Sequence, residues 1–389
     1  MALERLYLDY NATSPLSRSV LDWLRSGEVF FANPSSQHSD GKASRKIINE
    51  SKTALYKAFS LSEKDTRLFF HSGATEGIHT FAASFAEMAR LAKKNLLICT
   101  SSVDHPVAVS LASRYFGPHV KFFELKRDQK LHYQHQENFQ ELQKLKASDP
   151  DLVILYHHLW VHNETGQVSP LEELSKFKSI PDLYLHIDAV QAPGKIPEWQ
   201  KLTEGDIWTF SAHKFGALKG IGFSFFKSNF DFYPLLTGGG QQGNFRSGTE
   251  NVQGVRSISL ALADLLEINV VNNSLKRKEM VDFLNQELQG LGAVVDDSLV
   301  CSNTIYFYLY NLSSDIALAL FDINGLEISA GSACSSGAAK ESAVLLQLGL
   351  KASAKNGLRL SMPFEMDKDH LNKIRERMKL VFNRLRSSK

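Results

Sequence analysis

Seven short runs of apolar, β-prone residues, at 68–70, 96–99, 121–125, 152–156, 183–187, 206–210 and 222–226, limit what this chain can fold into. Most are separated by segments long enough for a helix. Strands with no polar face must be covered on both sides, so the pattern predicts an α/β fold around a seven-stranded, mostly parallel sheet. Upstream, 7–15 is a short extended piece ending in turn residues, too brief to stand alone and expected to lie along an element formed later. Helical spacing at Ala43, Ile47, Ala54, Leu55 and Phe59 predicts a helix over 41–59.

After Gly238-Gly239-Gly240 the chain changes character. Helices are expected over about 252–268 and 274–291, then strand 304–310, helix 315–322, strand 326–330, a short helix at 342–348, strand 357–361 and a last helix over 367–385. The expected division is a large domain at 15–266 and a smaller α+β domain made of 1–14 and 267–389, carrying the loop around Cys334.

Composition excludes several classes. Lys plus Arg number 44 against 42 Asp plus Glu, with no long block of one sign before the last helix, which argues against direct nucleic-acid binding. No window approaches the ~20 apolar residues that cross a bilayer, and the start lacks a basic-then-apolar leader, so a cytoplasmic protein without membrane contact is expected. Three cysteines cannot build a disulfide framework. Cys99 sits in an apolar run and Cys301 borders a strand, so both read as packing residues; Cys334 lies among Gly, Ser and Ala, a loop setting from which a thiol can reach a substrate.

In α/β sheets ligands collect beyond the carboxyl ends of strands. After the first run comes His71-Ser72-Gly73-Ala74-Thr75-Glu76, opening a helix that buries Ile78, Phe81, Ala82, Phe85 and Met88. Small residues at a helix start leave N–H groups for a phosphate, although such a turn serves equally as a plain cap. His105 follows the second run, where a lone histidine is more often a packed or capping residue. Asp188, with Gln191, follows the fifth; a buried carboxylate there wants a cation, and a pyridinium nitrogen would serve. Lys214 closes the sixth beside Ser211 and His213. Taken alone it is a strand-end lysine reaching for water, yet a lysine held at a buried strand end can lose its proton and attack a carbonyl. Phosphate donors, an Asp, an imidazole and a lysine are the parts of a pyridoxal 5'-phosphate site. His157, His158 and His162 suggest zinc, but neighbouring strand residues face opposite ways and no cysteine is near, so no metal is expected.

With these motifs, the chain resembles the class V aminotransferases of fold-type I, and within them the cysteine desulfurases of the iron–sulfur-assembly and nitrogen-fixation type. The likeness rests on Tyr-Leu-Asp-Tyr-Asn-Ala-Thr at 7–13, Ser-Gly-Ala-Thr-Glu at 72–76, Asp-His at 104–105, His-Asn-Glu-Thr-Gly at 162–166, His-Ile-Asp-Ala-Val-Gln at 186–191, Ser-Ala-His-Lys at 211–214, Arg-Ser-Gly-Thr-Glu-Asn at 246–251 and Gly-Ser-Ala-Cys-Ser-Ser at 331–336. It implies Lys214 as the cofactor lysine, Asp188 on the pyridine nitrogen, Gln191 on the ring hydroxyl and His105 stacked on the ring as proton handler. It also implies Ala74, Thr75, Ser211 and His213 on the phosphate, joined by Thr249 from the second subunit of a homodimer, with Asn163 and Arg359 on the substrate carboxylate. Cys334 would accept sulfur from L-cysteine, leaving alanine, and pass it to an acceptor protein, an iron–sulfur scaffold or a sulfur carrier. The chain departs from the family at Asp104 (usually Glu), His162 (Asn), Ala212 (Gly), Ala217-Leu218 and 240–245. Another class V aminotransferase or lyase, including a selenocysteine lyase, is the alternative; a non-enzymatic binding paralogue would have no need of Lys214 and Asp188.

Overall fold

The computed structural model describes residues 4–114, 117–229, 231–297, 299–331 and 341–387. After a two-residue strand β1 (Leu6–Tyr7) come the strands of the large sheet: β2 (Thr66–His71), β3 (Leu96–Thr100), β4 (Val120–Glu124), β5 (Val153–Leu159), β6 (Leu183–Asp188), β7 (Ile207–Ser211) and β8 (Gly222–Lys227). Their order across the sheet is β2-β8-β7-β6-β5-β3-β4. All run the same way except β8, which is antiparallel to both neighbours. The link from β7 to β8 holds only a one-turn 3₁₀ helix, Ala212–Phe215, too little for the crossover that a parallel pair needs.

Helices cover both faces. On one, α2 (Ser39–Ala58) and α6 (Val252–Leu266) set Ile47, Leu55, Val255 and Ile258 against Phe210, Phe223 and Phe225. On the other, α3 (Ala74–Ala92) packs Ile78, Phe81 and Phe85 on Phe69, Ile98 and Leu155. A Cβ at Gly77 would lie 2.6 Å from His71 Nε2 and 2.9 Å from Thr209 Cγ2, so glycine is what lets α3 start this close to the sheet. Asn251 caps α6 by accepting from Gly254 N at 2.9 Å, and Asn269 caps α7 (Val270–Glu287) by accepting from Asn272 N at 2.9 Å. That second cap starts α7 earlier than the expected residue 274.

A second, four-stranded sheet has the order β12-β13-β10-β9, from β9 (Gly292–Val295), β10 (Thr304–Leu309), β12 (Ser329–Ala330) and β13 (Gly357–Ser361). Leu6, Leu8, Ile305, Phe307, Leu358 and Leu360 pack there against Met280 and Leu284 of α7 and Leu371, Ile374 and Met378 of α10 (Lys368–Ser387). The strand expected at 326–330 divides in two, because it serves two partners: β11 (Leu326–Glu327) pairs in parallel with β1, and β12 pairs with β13. The opening segment therefore does lie along a late element. No helix among the described residues is long and apolar enough to cross a membrane.

Candidate active site

The carboxyl ends of β2, β5, β6 and β7 open on a cavity of about 580 Å³. The β2–α3 turn contributes Gly73, Ala74 and Thr75. A helix leaves the N–H groups of its first turn without intrahelical partners, and Gly73 offers no side chain to cap them. Ser211, His213 and Lys219 line the cavity too, from β7 and the loop beyond it.

Asp188, at the end of β6, is 2% exposed, and among the described residues its carboxylate accepts only from Val190 N, at 3.0 Å. Burial pushes its pKa up to about 7, against the opposing pull of that bond and of Lys214. Lys214 is half-buried, on the 3₁₀ turn rather than within the strand, so it is less enclosed than a buried strand end implies. Its Nζ donates to the carbonyls of Asn11 at 2.7 Å and Ala12 at 2.8 Å. The N-terminal loop reaches it because Ser14 N donates to His213 O at 2.9 Å and Ser14 Oγ to Lys214 O at 2.8 Å.

His105 lines the same cavity, its Nδ1 accepting from Val107 N at 3.2 Å. Burial, helped by Lys214, His157 and Arg359, lowers its pKa to about 4, so the ring is neutral at pH 7. His213 is likewise lowered to about 4, by burial and then by Lys214 and Lys219. The turn carrying His105 is braced from two sides. Asp104 is ion-paired with Arg127, and His162 Nε2 donates to Val103 O at 2.9 Å while its Nδ1 accepts from Glu164 N at 3.2 Å. The departures at 104 and 162 thus meet on one turn.

Arg359, on β13 and 2% exposed, donates from Nη1 to Asn163 O at 3.0 Å and pairs through Nη2 with Asp9 Oδ1 at 2.8 Å. Its Nε and Asn163 Oδ1 are buried with no hydrogen-bond partner among the described residues. The cavity gathers Ala74, Thr75, His105, Asn163, Asp188, Gln191, Ser211, His213, Lys214 and Arg359. Thr249 is exposed and does not line it. Cys334 lies outside the described residues. Cys99 and Cys301 are buried free thiols, Cys301 donating to Thr304 Oγ1 at 3.1 Å.

The three histidines part company: His157 faces His186 (Nδ1 to Nδ1, 3.4 Å), His158 stacks on Tyr133 with centroids 4.4 Å apart, and His162 holds the His105 turn. Sequence reasoning missed Lys219 and Lys195. Lys195 is 1% exposed, in an apolar stretch where nothing in the sequence separates a buried lysine from a surface one.

The class-V aminotransferase profile matches residues 6–374. A protein named cysteine desulfurase IscS from Dictyoglomus turgidum is 30% identical over 391 residues, covering 98% of this chain and 95% of its own. One named cysteine desulfurase 2 from Trichormus variabilis is 31% identical, with 98% and 94% covered. A solved structure described as a NifS-like protein superposes with a TM-score of 0.83 at 23% identity, over 97% of this chain and 99% of its own. By this match along nearly its whole length, the chain belongs to the class-V aminotransferase family.

Proposed function

We propose that the protein is a pyridoxal-phosphate-dependent cysteine desulfurase, converting L-cysteine to L-alanine and passing the sulfur, as a persulfide on Cys334, to an acceptor protein. The observation that carries the cofactor is Asp188: a fully buried carboxyl in the cavity wall, with no cation paired to it among the described residues. Such a group is stabilised by a ring-nitrogen cation, and the cavity supplies the rest, an uncapped helix start for a phosphate and an amine at Lys214. The residues present fit the group.

When bound, the cofactor supplies an electron sink for the pair released at the substrate α-carbon. Lys214 would hold the cofactor and, once displaced by substrate, take the α-proton; the Asn11 and Ala12 carbonyls keep its Nζ in place. Arg359, steadied by Asp9, would bind the substrate carboxylate with Asn163. His105, neutral at pH 7, has an unprotonated nitrogen with which to accept a proton. The Cys334 thiolate would form the S–S bond as the Cβ–S bond of cysteine breaks, and alanine leaves after protonation at Cβ and return of a proton to Cα. Gln191, Ala74, Thr75, Ser211 and His213 would hold the cofactor. Exposed on its own chain, Thr249 would complete the phosphate site of a partner subunit in a homodimer. The free thiols Cys99 and Cys301 suit a reducing compartment, the cytoplasm.

Incubation with L-cysteine and a thiol reductant, which carries the persulfide sulfur off as sulfide, tests the reading. Alanine and sulfide should form without a keto-acid acceptor; a strict need for one would make the protein a transaminase and leave Cys334 incidental.

A further inference from the structure

We infer that Lys195 is a positioning residue that turns Gln191 into a fixed hydrogen-bond donor facing the cavity, an inference that rests on the cofactor reading above. Lys195 Nζ donates to Asn11 Oδ1 at 3.0 Å and to Gln191 Oε1. An ammonium has three donors and no acceptor, so both contacts must fall on oxygens. That fixes an otherwise ambiguous amide: Gln191 keeps Oε1 on Lys195 and gives one Nε2 hydrogen to Asn11 O at 3.0 Å. Its second Nε2 hydrogen remains, and Gln191 lines the cavity. A bound ring therefore meets a donor at this point and never an acceptor, which favours an ionised ring oxygen.

Asn11 is fixed by the same ammonium. With Oδ1 on Lys195, its Nδ2 donates to Thr304 Oγ1 at 2.8 Å and Asn163 O at 3.3 Å, while its main-chain carbonyl receives Lys214 Nζ. One buried lysine thus sets two amides, and the second carries the carbonyl that holds Lys214. The groups that face Lys195 are Cys301, Lys214, Arg359, His213 and, at 6.0 Å, the Phe364 ring. Among the described residues no carboxylate pairs with it, so the lysine is not there to neutralise an acid. Burial lowers its pKa to about 7, and the neutral amine still has two N–H donors for the Asn11 and Gln191 oxygens.

The test is spectroscopic. Wild type, Lys195→Met, Gln191→Leu and the double variant are loaded with pyridoxal phosphate, and the visible absorption is titrated from pH 6 to 10. Lys195→Met should move the midpoint up by about half a pH unit or more, a ~3-fold change in proton affinity, because the Gln191 donor has been loosened from the ring oxygen. In the Gln191→Leu background the same change should add little, since the two residues act as one unit. Full additivity would mean that Lys195 works without Gln191 and would overturn the inference. So would an unmoved midpoint in Lys195→Met with only its melting temperature lowered, the result of a purely structural role. Should Lys195→Met not fold, Lys195→Gln takes its place; its amide leaves Gln191 free to turn over, and an unmoved midpoint is again fatal. Failure of the wild type to bind pyridoxal phosphate would sink the cofactor reading itself, and the inference with it.

Discussion

Arg127 and Asp104 form an ion pair out of contact with water: Nη2 to Oδ1 is 2.5 Å, and the two side chains are 3% and 0% exposed. Tyr133 OH donates to the same oxygen at 3.0 Å, and the guanidinium lies 3.5 Å from the Tyr133 ring centroid. Asp104 immediately precedes His105, so the pair anchors the turn from which that imidazole enters the cavity. Breaking a buried pair from one side strands the other charge, at a cost of about 3–5 kcal/mol. Arg127→Met should therefore lower stability by about that much in urea unfolding. A loss below ~1 kcal/mol would show that the pair does not anchor the turn.

Lys214→Ala should bind pyridoxal phosphate only non-covalently. In wild type, borohydride reduction followed by peptide mapping should find the cofactor on Lys214. Recovery on Lys195 or Lys219 instead would overturn the site as assigned.

Cys334→Ala should keep cofactor binding and the absorbance change on adding L-cysteine, which depend on Lys214, Asp188 and Arg359, and should lose sulfur release. Cys99→Ala and Cys301→Ala should remain active, since both thiols are buried in packing sites, with about 1–2 kcal/mol lost to the vacated space. Cys334→Ala turning over at the wild-type rate would end the persulfide mechanism.

Asp188 gives a pH signature in the cofactor-free protein. Its carboxyl has a folded pKa raised from 3.8 to about 7, so the folded state holds a proton that the unfolded chain releases. Stability is then lost as pH rises across that window. Asp188→Asn should stabilise the cofactor-free protein at pH 8 by on the order of 2–4 kcal/mol, should do little at pH 4, and should weaken cofactor binding. Thermal melts at the two pH values check this; an equal effect at both would mean that the carboxyl is not held protonated.

The large sheet was legible because its strands are apolar on both faces, a pattern that few other structures tolerate. The strand-end residues followed from it, since topology alone sends Asp188 and Lys214 to one edge. β9 was missed because Gly292–Val295 is half-exposed and shows no alternation. The division of 326–330 was hidden as well, because a strand's partners are not written in its own residues. Lys195 was illegible for a related reason. Its burial depends on Asn11 and Phe364, which come from distant parts of the chain and which no local pattern joins to it.

The Arg359–Asp9 pair spans 350 residues of chain. On a ribosome adding ~5–20 residues per second, roughly 20–70 s separate the two syntheses. Of the residues assigned to the phosphate and the ring, all but Thr249 have been made by the time Lys214 emerges, and β8, which joins β2 to β7, is complete at Lys227, whereas Arg359 comes much later. The order of translation thus completes the sheet edge that carries Asp188 and Lys214 well before it supplies the arginine assigned to the substrate carboxylate.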